Sequence, residues 1–145
     1  MPYAMILIMS QPSIFTQVRT AQALGELIYQ DDVVFVILSI APHNPGHCLI
    51  IPVEEVANIE DLSESVYAHL MKVARELSQA LKALYASPKV GLMVVGLSVP
   101  HAHLHIFPLY QETDVNTDKT RLVAVTELAP EADRIRKYLK EHPIT

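Results

Sequence analysis

Short apolar runs separated by turn formers dominate the chain and predict a sheet. Runs rich in β-branched residues and bounded by Gly, Pro, Asn or Asp are typical of strands. Asp31 and Asp32 stand between the first two runs and predict a turn there. We expect strands over residues 28–29, 33–39, 47–51, 91–95 and 101–107, with a further strand over 121–125.

One segment has the periodicity of a long amphipathic helix. Apolar residues recur every three or four positions over 63–85, at Val66, Leu70, Ala74, Leu77, Leu81 and Leu84. Asp61 or Ser63 can cap this helix. We expect a short helix or irregular entry over 13–24, and a last helix over 130–141 with Pro130 in its first turn. This order predicts an α+β domain, with an antiparallel sheet of about five strands, one long helix and a C-terminal helix.

Length and composition indicate a single globular domain over residues 1–145. Half of the residues are apolar and 19% are charged. The net charge of −5, without a basic stripe, argues against a nucleic-acid partner but leaves a small phosphorylated ligand possible. Cys48 is the only cysteine, so neither an intrachain disulfide nor a cysteine-rich zinc site can form. A lone cysteine suits a reducing compartment. Strand alternation points Cys48 away from His47, so we expect Cys48 to pack in the core.

The apolar stretch over residues 4–9 is too short to cross a bilayer. It also lacks the basic region and the cleavage site of a secretory signal. We therefore expect residues 1–12 to form an N-terminal extension or an edge strand, and we expect no membrane partner.

Three histidines alternate with apolar residues in the run HAHLHIF, residues 101–107. On a strand, His101, His103 and His105 would share one face, roughly 6–7 Å apart. Buried imidazoles need polar partners, so the pattern calls for a chemical explanation. Three interpretations remain open on the pattern alone: a metal site, a polar strand face, or a phosphate site with a histidine nucleophile.

The segments around the histidines favour a phosphate site. His47 follows the turn formers Pro45 and Gly46, and Ser98 lies just before the histidine run. A glycine-containing turn and a hydroxyl can donate hydrogen bonds to phosphate oxygens. A neutral imidazole also has a lone pair that can attack phosphorus. We expect His43 to be a solvated loop residue and His69 to lie on the surface of the long helix.

The chain resembles the histidine triad (HIT) superfamily of nucleotide hydrolases and transferases. The resemblance covers about residues 13–108 and rests on three motifs in the family's order. They are the run HAHLHIF followed by Pro108, the run PHNPGHCLIIP over 42–52, and Ile14-Phe15. The resemblance implies the family's HIT-like fold.

The same resemblance implies roles for individual residues. His103 matches the nucleophile, and the backbone carbonyl of His101 matches the group that fixes its tautomer. His105 and His47 match residues that contact the phosphates or help the leaving group depart, and Ser98 matches a phosphate-binding serine. The implied reaction attacks the α-phosphorus of a nucleotide derivative through a nucleotidyl-histidine intermediate, and Mg²⁺ is often unnecessary for it.

Three residues depart from the family pattern at positions that often hold a structural zinc. Many members have Cys-x-x-Cys near the start, where this chain has Ser13 and Thr16. A second histidine often follows the Pro-Gly-His segment, where this chain has Glu55. Serine and threonine are poor zinc ligands, so we expect no structural zinc. The resemblance implies, in addition, that the site holds no metal and that no cofactor is required.

Other departures concern the substrate. Family members place a ribose-binding aspartate where this chain has Ser39, which can hydrogen-bond to ribose but carries no charge. Leu97 stands in place of a glutamine in a shortened turn. The apolar positions that the resemblance implies for the nucleoside pocket, beside Ser39, are Phe15, Val18 and Ile37.

The resemblance implies an enzyme that acts on a nucleoside phosphoramidate or a dinucleoside polyphosphate. The resemblance implies a homodimer, with the long helix and a central strand near the interface, and we expect a cytoplasmic location. Two alternatives remain: a nucleotide-binding protein with altered catalysis, and a hydrolase of a non-nucleoside phosphate ester.

Overall fold

A computed structural model describes residues 11–145. The expectation for residues 4–9 lies outside the described residues. These described residues form a sheet of five antiparallel strands, in the spatial order β1-β2-β3-β5-β4. The strands are β1 (Leu27–Gln30), β2 (Val34–Leu38), β3 (Cys48–Pro52), β4 (Lys89–Met93) and β5 (Leu104–Leu109).

Three α-helices accompany the sheet in the described part of the chain. They are α1 (Ile14–Arg19), α2 (Glu64–Tyr85) and α3 (Val125–Glu141), and short 3₁₀ turns occur at Ile59–Asp61, Glu112–Val115 and Thr117–Lys119. Of the two predicted caps for the long helix, Ser63 is the one used, and its hydroxyl accepts from the Val66 N–H at 3.3 Å. The predicted α+β fold with a five-stranded antiparallel sheet is confirmed.

The two faces of the sheet are covered by different helices. Alternate residues of β2 and β3, such as Val36 and Ile50, are buried against α2 and α3 in the larger core cluster. Cys48 belongs to this cluster and is fully buried, as predicted. The residues between them, such as Ile37 and Leu49, form a smaller cluster with Phe15 of α1. Among residues 11–145, α1 is the helix that packs on this second face, and the candidate site lies on the same face.

Several predicted boundaries are wrong. The histidine strand begins at Leu104 rather than at residue 101, because the ladder with β3 ends at the pair Ile50–Leu104. No strand forms over 121–125, where a single hydrogen bond joins Val123 N–H to the Ile40 carbonyl. The last helix begins at Val125 and contains Pro130 in its interior. The first helix is shorter than the predicted segment 13–24.

The turn before His47 needs a glycine. Gly46 has φ +91°, and a Cβ at this position would lie 2.6 Å from the ring of Tyr85. Its N–H donates to the Glu131 carboxylate, which also accepts from the Tyr85 hydroxyl at 3.0 Å. α2 and α3 therefore hold the backbone just ahead of His47. Within residues 11–145, no helix combines the length and the apolarity needed to span a bilayer.

Candidate functional site

Pairing between β3 and β5 brings two of the predicted histidines together. Leu49 pairs with His105, so His47 and His105 lie near each other on the α1 face of the sheet. Their rings are joined by a contact of 2.9 Å between His47 Nε2 and His105 Nδ1. His103 lies directly before β5, with its ring centroid 5.0 Å from that of His105.

His103 is held in one tautomer by its own backbone. Its Nδ1 lies 2.8 Å from the carbonyl oxygen of His101. A carbonyl can only accept, so Nδ1 carries the proton and Nε2 keeps a lone pair. Among residues 11–145 we find no hydrogen-bond partner for that Nε2. Phe15 of α1 packs against the ring of His103 at a centroid distance of 4.8 Å.

A chain of hydrogen bonds fixes the other two rings. The backbone N–H of His43 donates to His47 Nδ1 at 3.0 Å, so the proton of neutral His47 is on Nε2. His47 Nε2–H then donates to His105 Nδ1, which leaves the proton of His105 on its Nε2. The site therefore combines a lone pair on His103 with an N–H donor on His105.

Burial keeps these imidazoles neutral. Burial is the main cause that lowers the pKa of His103, and the nearby His101 adds to it, although the bond to the His101 carbonyl acts in the opposite direction. Burial, followed by the proximity of His103 and His43, lowers the pKa of His105 to about 4. The pKa of His47 is lowered further still by burial, with contributions from His105 and His43. At neutral pH all three rings are uncharged.

An open cavity of about 310 Å³ borders these histidines. His47, His103 and His105 line it, as do the predicted phosphate residue Ser98 and the predicted nucleoside residue Ser39. Ser39 is 7% exposed, and its hydroxyl already accepts from the Ala41 N–H at 3.2 Å. The cavity wall therefore carries hydroxyl and N–H groups beside the free imidazole nitrogen.

The remaining predicted nucleoside residues do not line this cavity. Phe15 and Ile37 are buried in the smaller core cluster on the α1 face. Val18 packs against that cluster and borders a separate groove beside Gly25. Their assignment to a nucleoside pocket stays a prediction.

His101 takes no part in the cavity. Its side chain is fully buried, and its Nε2 lies 2.7 Å from the Pro52 carbonyl. Its Nδ1 lies 2.5 Å from the Ser13 hydroxyl. The prediction that all three histidines share one strand face is wrong, because His101 and His103 precede the strand.

The hydrogen bonds of the three histidines also argue against a metal triad. Each ring donates or accepts a bond with a different protein group, and their nitrogens do not converge on one point. Within residues 11–145, no group of three or more His, Cys, Asp or Glu side chains is arranged to hold a metal ion.

His43 lines the cavity, which the sequence did not indicate. It was expected to be solvated, but its ring is stacked on Phe107 at 4.6 Å and its Nδ1–H donates to the Asp114 carbonyl at 2.8 Å. The proline-rich turn folds back over β5, and Asn44 of this turn donates to the Pro108 carbonyl at 2.9 Å. The sequence signal that could have indicated this role is the position of His43, four residues before His47.

Taken together, these groups suit nucleophilic attack on phosphorus. The free Nε2 of His103 is an uncharged nucleophile in a partly buried site. The N–H of His105 and the Ser98 hydroxyl can donate to phosphate oxygens as negative charge builds on them.

Comparison with known proteins places the chain in a family. The HIT domain matches residues 20–112. An uncharacterized HIT-like protein of Saccharolobus solfataricus is 29% identical over 111 residues, which cover 72% of this chain and 80% of that protein.

Two relatives with named activities match over a shorter part of their length. An AP-4-A phosphorylase of Mycobacterium tuberculosis is 26% identical over 90 residues, or 58% of this chain and 46% of that protein. A bis(5'-adenosyl)-triphosphatase of Saccharomyces cerevisiae is 26% identical over 113 residues, or 74% of this chain and 53% of that protein. The matched region thus spans about half the length of these two relatives.

Solved structures have the same fold. A HIT-like protein of Bartonella henselae superposes with a TM-score of 0.75 at 23% identity, over 88% of this chain and 96% of that chain. A zinc-bound histidine triad family protein of Mycobacterium smegmatis superposes with a TM-score of 0.74 at 21% identity, over 92% of this chain and 96% of that chain. The chain belongs to the HIT family, and its relatives include proteins named for action on dinucleoside polyphosphates.

Proposed function

We propose that this protein is a nucleotide hydrolase or nucleotidyl transferase that acts at the α-phosphate of a nucleoside phosphoramidate or a dinucleoside polyphosphate. The observation that carries the proposal is the bond from His103 Nδ1–H to the His101 carbonyl. This bond leaves the lone pair of His103 Nε2 free in a ring that lines the cavity. The named activities of the relatives from M. tuberculosis and S. cerevisiae support the substrate class.

The reaction proceeds in two displacements. His103 Nε2 forms a bond to the α-phosphorus while the bond from phosphorus to the leaving group breaks, and the leaving group takes the electron pair. Water then attacks the same phosphorus, the bond to Nε2 breaks, and the lone pair returns to His103. Overall, the hydroxyl of water ends on phosphorus and its proton on the leaving group.

The remaining groups stabilise charge during these steps. The Nε2–H of His105 and the hydroxyl of Ser98 donate to the phosphate oxygens in our proposal. Because protein donors fill this role, we propose that the chemical step requires no metal ion or other cofactor. Turnover that stops with a chelator and returns with Mg²⁺ would contradict this part.

The direct test follows turnover of adenosine phosphoramidate and of diadenosine polyphosphates. We expect the wild-type protein to hydrolyse at least one of them, and His103→Ala to abolish turnover. Intact-protein mass spectrometry of a rapidly quenched reaction should show an added adenylyl group, lost in the His103 variant. Turnover that survives His103→Ala removes this residue from its role.

A second candidate follows from Ser39. Its hydroxyl carries no charge and already accepts from the Ala41 N–H, so a ribose could use little more than its one O–H donor, and three predicted nucleoside residues do not line the cavity. These observations favour a phosphate ester without a ribose as an alternative substrate class. Hydrolysis of phenyl phosphate, with no turnover of the nucleotide probes, would select this alternative. Nucleotide binding without turnover of any probe would indicate a binding protein with altered catalysis.

We also propose that the protein is a cytoplasmic homodimer. Within the described residues, β4 is an edge strand with no strand paired to its outer side, and Leu92 is 46% exposed on it. Tyr67 of α2 is 45% exposed. A second copy that covers β4 and α2 would bury these side chains. Light scattering during size-exclusion chromatography tests the dimer, and cell fractionation tests the location.

A further inference from the structure

The N-terminal helix and the loop after β3 meet at the ring of His101. Ser13 and Thr16 come from the start of α1, and Glu55 follows β3. Glu55 Oε1 accepts from the Ser13 N–H at 2.6 Å and from the Thr16 hydroxyl at 2.6 Å. Ser13 Oγ lies 2.5 Å from His101 Nδ1. We call Ser13, Thr16, Glu55 and His101 the His101 cluster.

Donor and acceptor roles in the His101 cluster are determined. The Pro52 carbonyl can only accept, so neutral His101 carries its proton on Nε2 and its Nδ1 accepts. The Ser13 hydroxyl must then donate to Nδ1. Its oxygen also accepts from the Thr16 N–H at 3.2 Å, which caps α1. Both ring nitrogens of His101 therefore have a fixed partner.

These residues do not fit a zinc ion. Zinc sites use thiolate, imidazole and carboxylate ligands, and neutral hydroxyls are poor substitutes. Here the lone pair of His101 Nδ1 is occupied by the Ser13 hydroxyl proton, and Glu55 Oε1, 4.0 Å from Nδ1, is occupied by two donors. At the positions where the HIT resemblance implies a structural zinc, this chain therefore has side chains that are already joined to one another by hydrogen bonds.

We propose that Ser13 and Glu55 are positioning residues for His103 and act through His101 without a metal. The ring of His101 is held at both nitrogens, and its carbonyl accepts the Nδ1–H of His103. Phe15, next but one to Ser13, packs against the rings of both His101 and His103. Holding the His101 ring fixes the carbonyl that selects the reactive tautomer. This inference rests on the proposed role of His103.

Two pairs of variants and one additional control test the proposal. Ser13→Ala removes the donor to His101, and Ser13→Thr restores a hydroxyl at the same position. Glu55→Ala removes the acceptor that joins the start of α1 to the loop after β3. Glu54 is the exposed residue next to Glu55, so Glu54→Ala is the matched control. Thr20→Ala removes a hydroxyl at the far end of α1, which bonds only to backbone carbonyls of that helix. Circular dichroism establishes that each variant is folded.

The first readout needs no turnover. Long-range proton–nitrogen NMR spectra of the imidazole rings report which nitrogen of His103 carries the proton. We expect the Nδ1–H form in the wild type, in Ser13→Thr and in both controls. Ser13→Ala and Glu55→Ala should give a mixture of tautomers. An unchanged Nδ1–H form of His103 in both of these variants overturns the proposal.

The second readout is kinetic. We expect kcat to fall about 3- to 10-fold in Ser13→Ala, which loses the hydrogen bond to His101 Nδ1, with KM unchanged. We expect kcat to fall by at least that factor in Glu55→Ala, which loses two hydrogen bonds, again with KM unchanged. A rise in KM alone would assign Ser13 and Glu55 to substrate binding and overturn the positioning role. If the wild-type protein turns over no probe, the proposed function fails, and the NMR spectra still decide the positioning role.

Metal content is the third readout. We expect the purified protein to contain no stoichiometric zinc by mass spectrometry of the elements, and its His103 tautomer to be unchanged by a chelator. Stoichiometric zinc that disappears in Glu55→Ala would overturn the metal-free cluster.

Discussion

At the scale of single residues, one backbone carbonyl decides the chemistry of the site. The proton of His103 lies on Nδ1 because the His101 carbonyl can only accept it. Two further hydrogen bonds determine the tautomer of His105. The His43 N–H donates to His47 Nδ1, and the Nε2–H of His47 donates to His105 Nδ1, so His105 has its proton on Nε2. Chemically identical side chains thus take opposite roles, one with a lone pair and one with a donor.

The first prediction concerns the pH dependence of turnover. His103 must be neutral to attack, and burial holds its pKa below the ordinary value of 6.5. Activity should therefore persist as the pH falls through 6.5 and decline only at lower pH, as Nε2 becomes protonated. The measurement is kcat/KM for the best substrate over the acidic range. An acidic limb centred at or above 6.5 would contradict a buried histidine nucleophile.

The histidine motif and the assignment of Cys48 to the core followed from the sequence. Hydrogen-bond directions did not, because they depend on partners far along the chain, such as Pro52 for His101 and His43 for His47. His43 was missed for the same reason, since its stacking on Phe107 arises only when the turn folds over β5.

At the scale of elements, α2 and four of the strands lie close to their predicted positions, because hydrophobic periodicity reports on burial. The pattern failed at residues 101–103, which alternate like a strand. There the Ala102 N–H donates to the Val56 carbonyl, outside the ladder. The predicted start of the last helix was wrong because proline is most favoured in the first turn of a helix. Here Pro130 lies within α3, on its exposed side.

The turn between β1 and β2 provides the second prediction. Asp31 Oδ1 accepts from the N–H groups of Val33 and Val34, and Oδ2 accepts from Tyr29 and His69 at 2.7 Å. Burial alone would raise the pKa of Asp31, but these hydrogen bonds outweigh it and lower the pKa to about 2. His69 is thus half-buried at this turn and does not lie free on the helix surface.

Asp31→Asn should destabilise the fold by about 1–3 kcal/mol, because an amide cannot accept all four bonds. The folded pKa lies below the unfolded value of 3.8, so this stability is present above pH 3.8 and is lost as the pH falls toward 2. Urea unfolding at neutral pH checks the change, with the exposed Asp32→Asn as control. Equal stability of the two variants would contradict the role of Asp31.

The third prediction concerns Gly46, in the turn directly before His47. In Gly46→Ala the new methyl would meet Tyr85, and the backbone has a positive φ. We expect a loss of about 1–3 kcal/mol in stability and a fall in kcat, since His47 follows directly. Gly96→Ala is the control for stability: it also has a positive φ, but a Cβ there meets nothing within 4 Å. Gly46→Ala that is no less stable than Gly96→Ala would exclude the clash with Tyr85.

At the scale of the whole molecule, the fold maintains three neutral histidines in one place. α2 and α3 cover one face of the sheet, and the site lies on the other, where β3 and β5 meet beside α1. The folded state is destabilised at acidic pH, because burial disfavours the charged imidazolium form. The site therefore links catalysis to global stability.

The last prediction follows from this link. The folded-state pKa values of His47, His103 and His105 lie below 6.5, and that of His105 lies near 4. Their contribution to stability is thus complete above pH 6.5 and is lost as the pH falls toward the folded values. Each histidine protonated only in the unfolded chain contributes a slope of about 1.4 kcal/mol per pH unit. Urea unfolding of the wild type and of a His47→Asn/His105→Asn variant should therefore converge as the pH falls from 6.5 toward 4, because the variant lacks two of the three groups. Parallel curves would show that these rings are not held neutral by the fold, and would remove the physical basis for an uncharged nucleophile in this site.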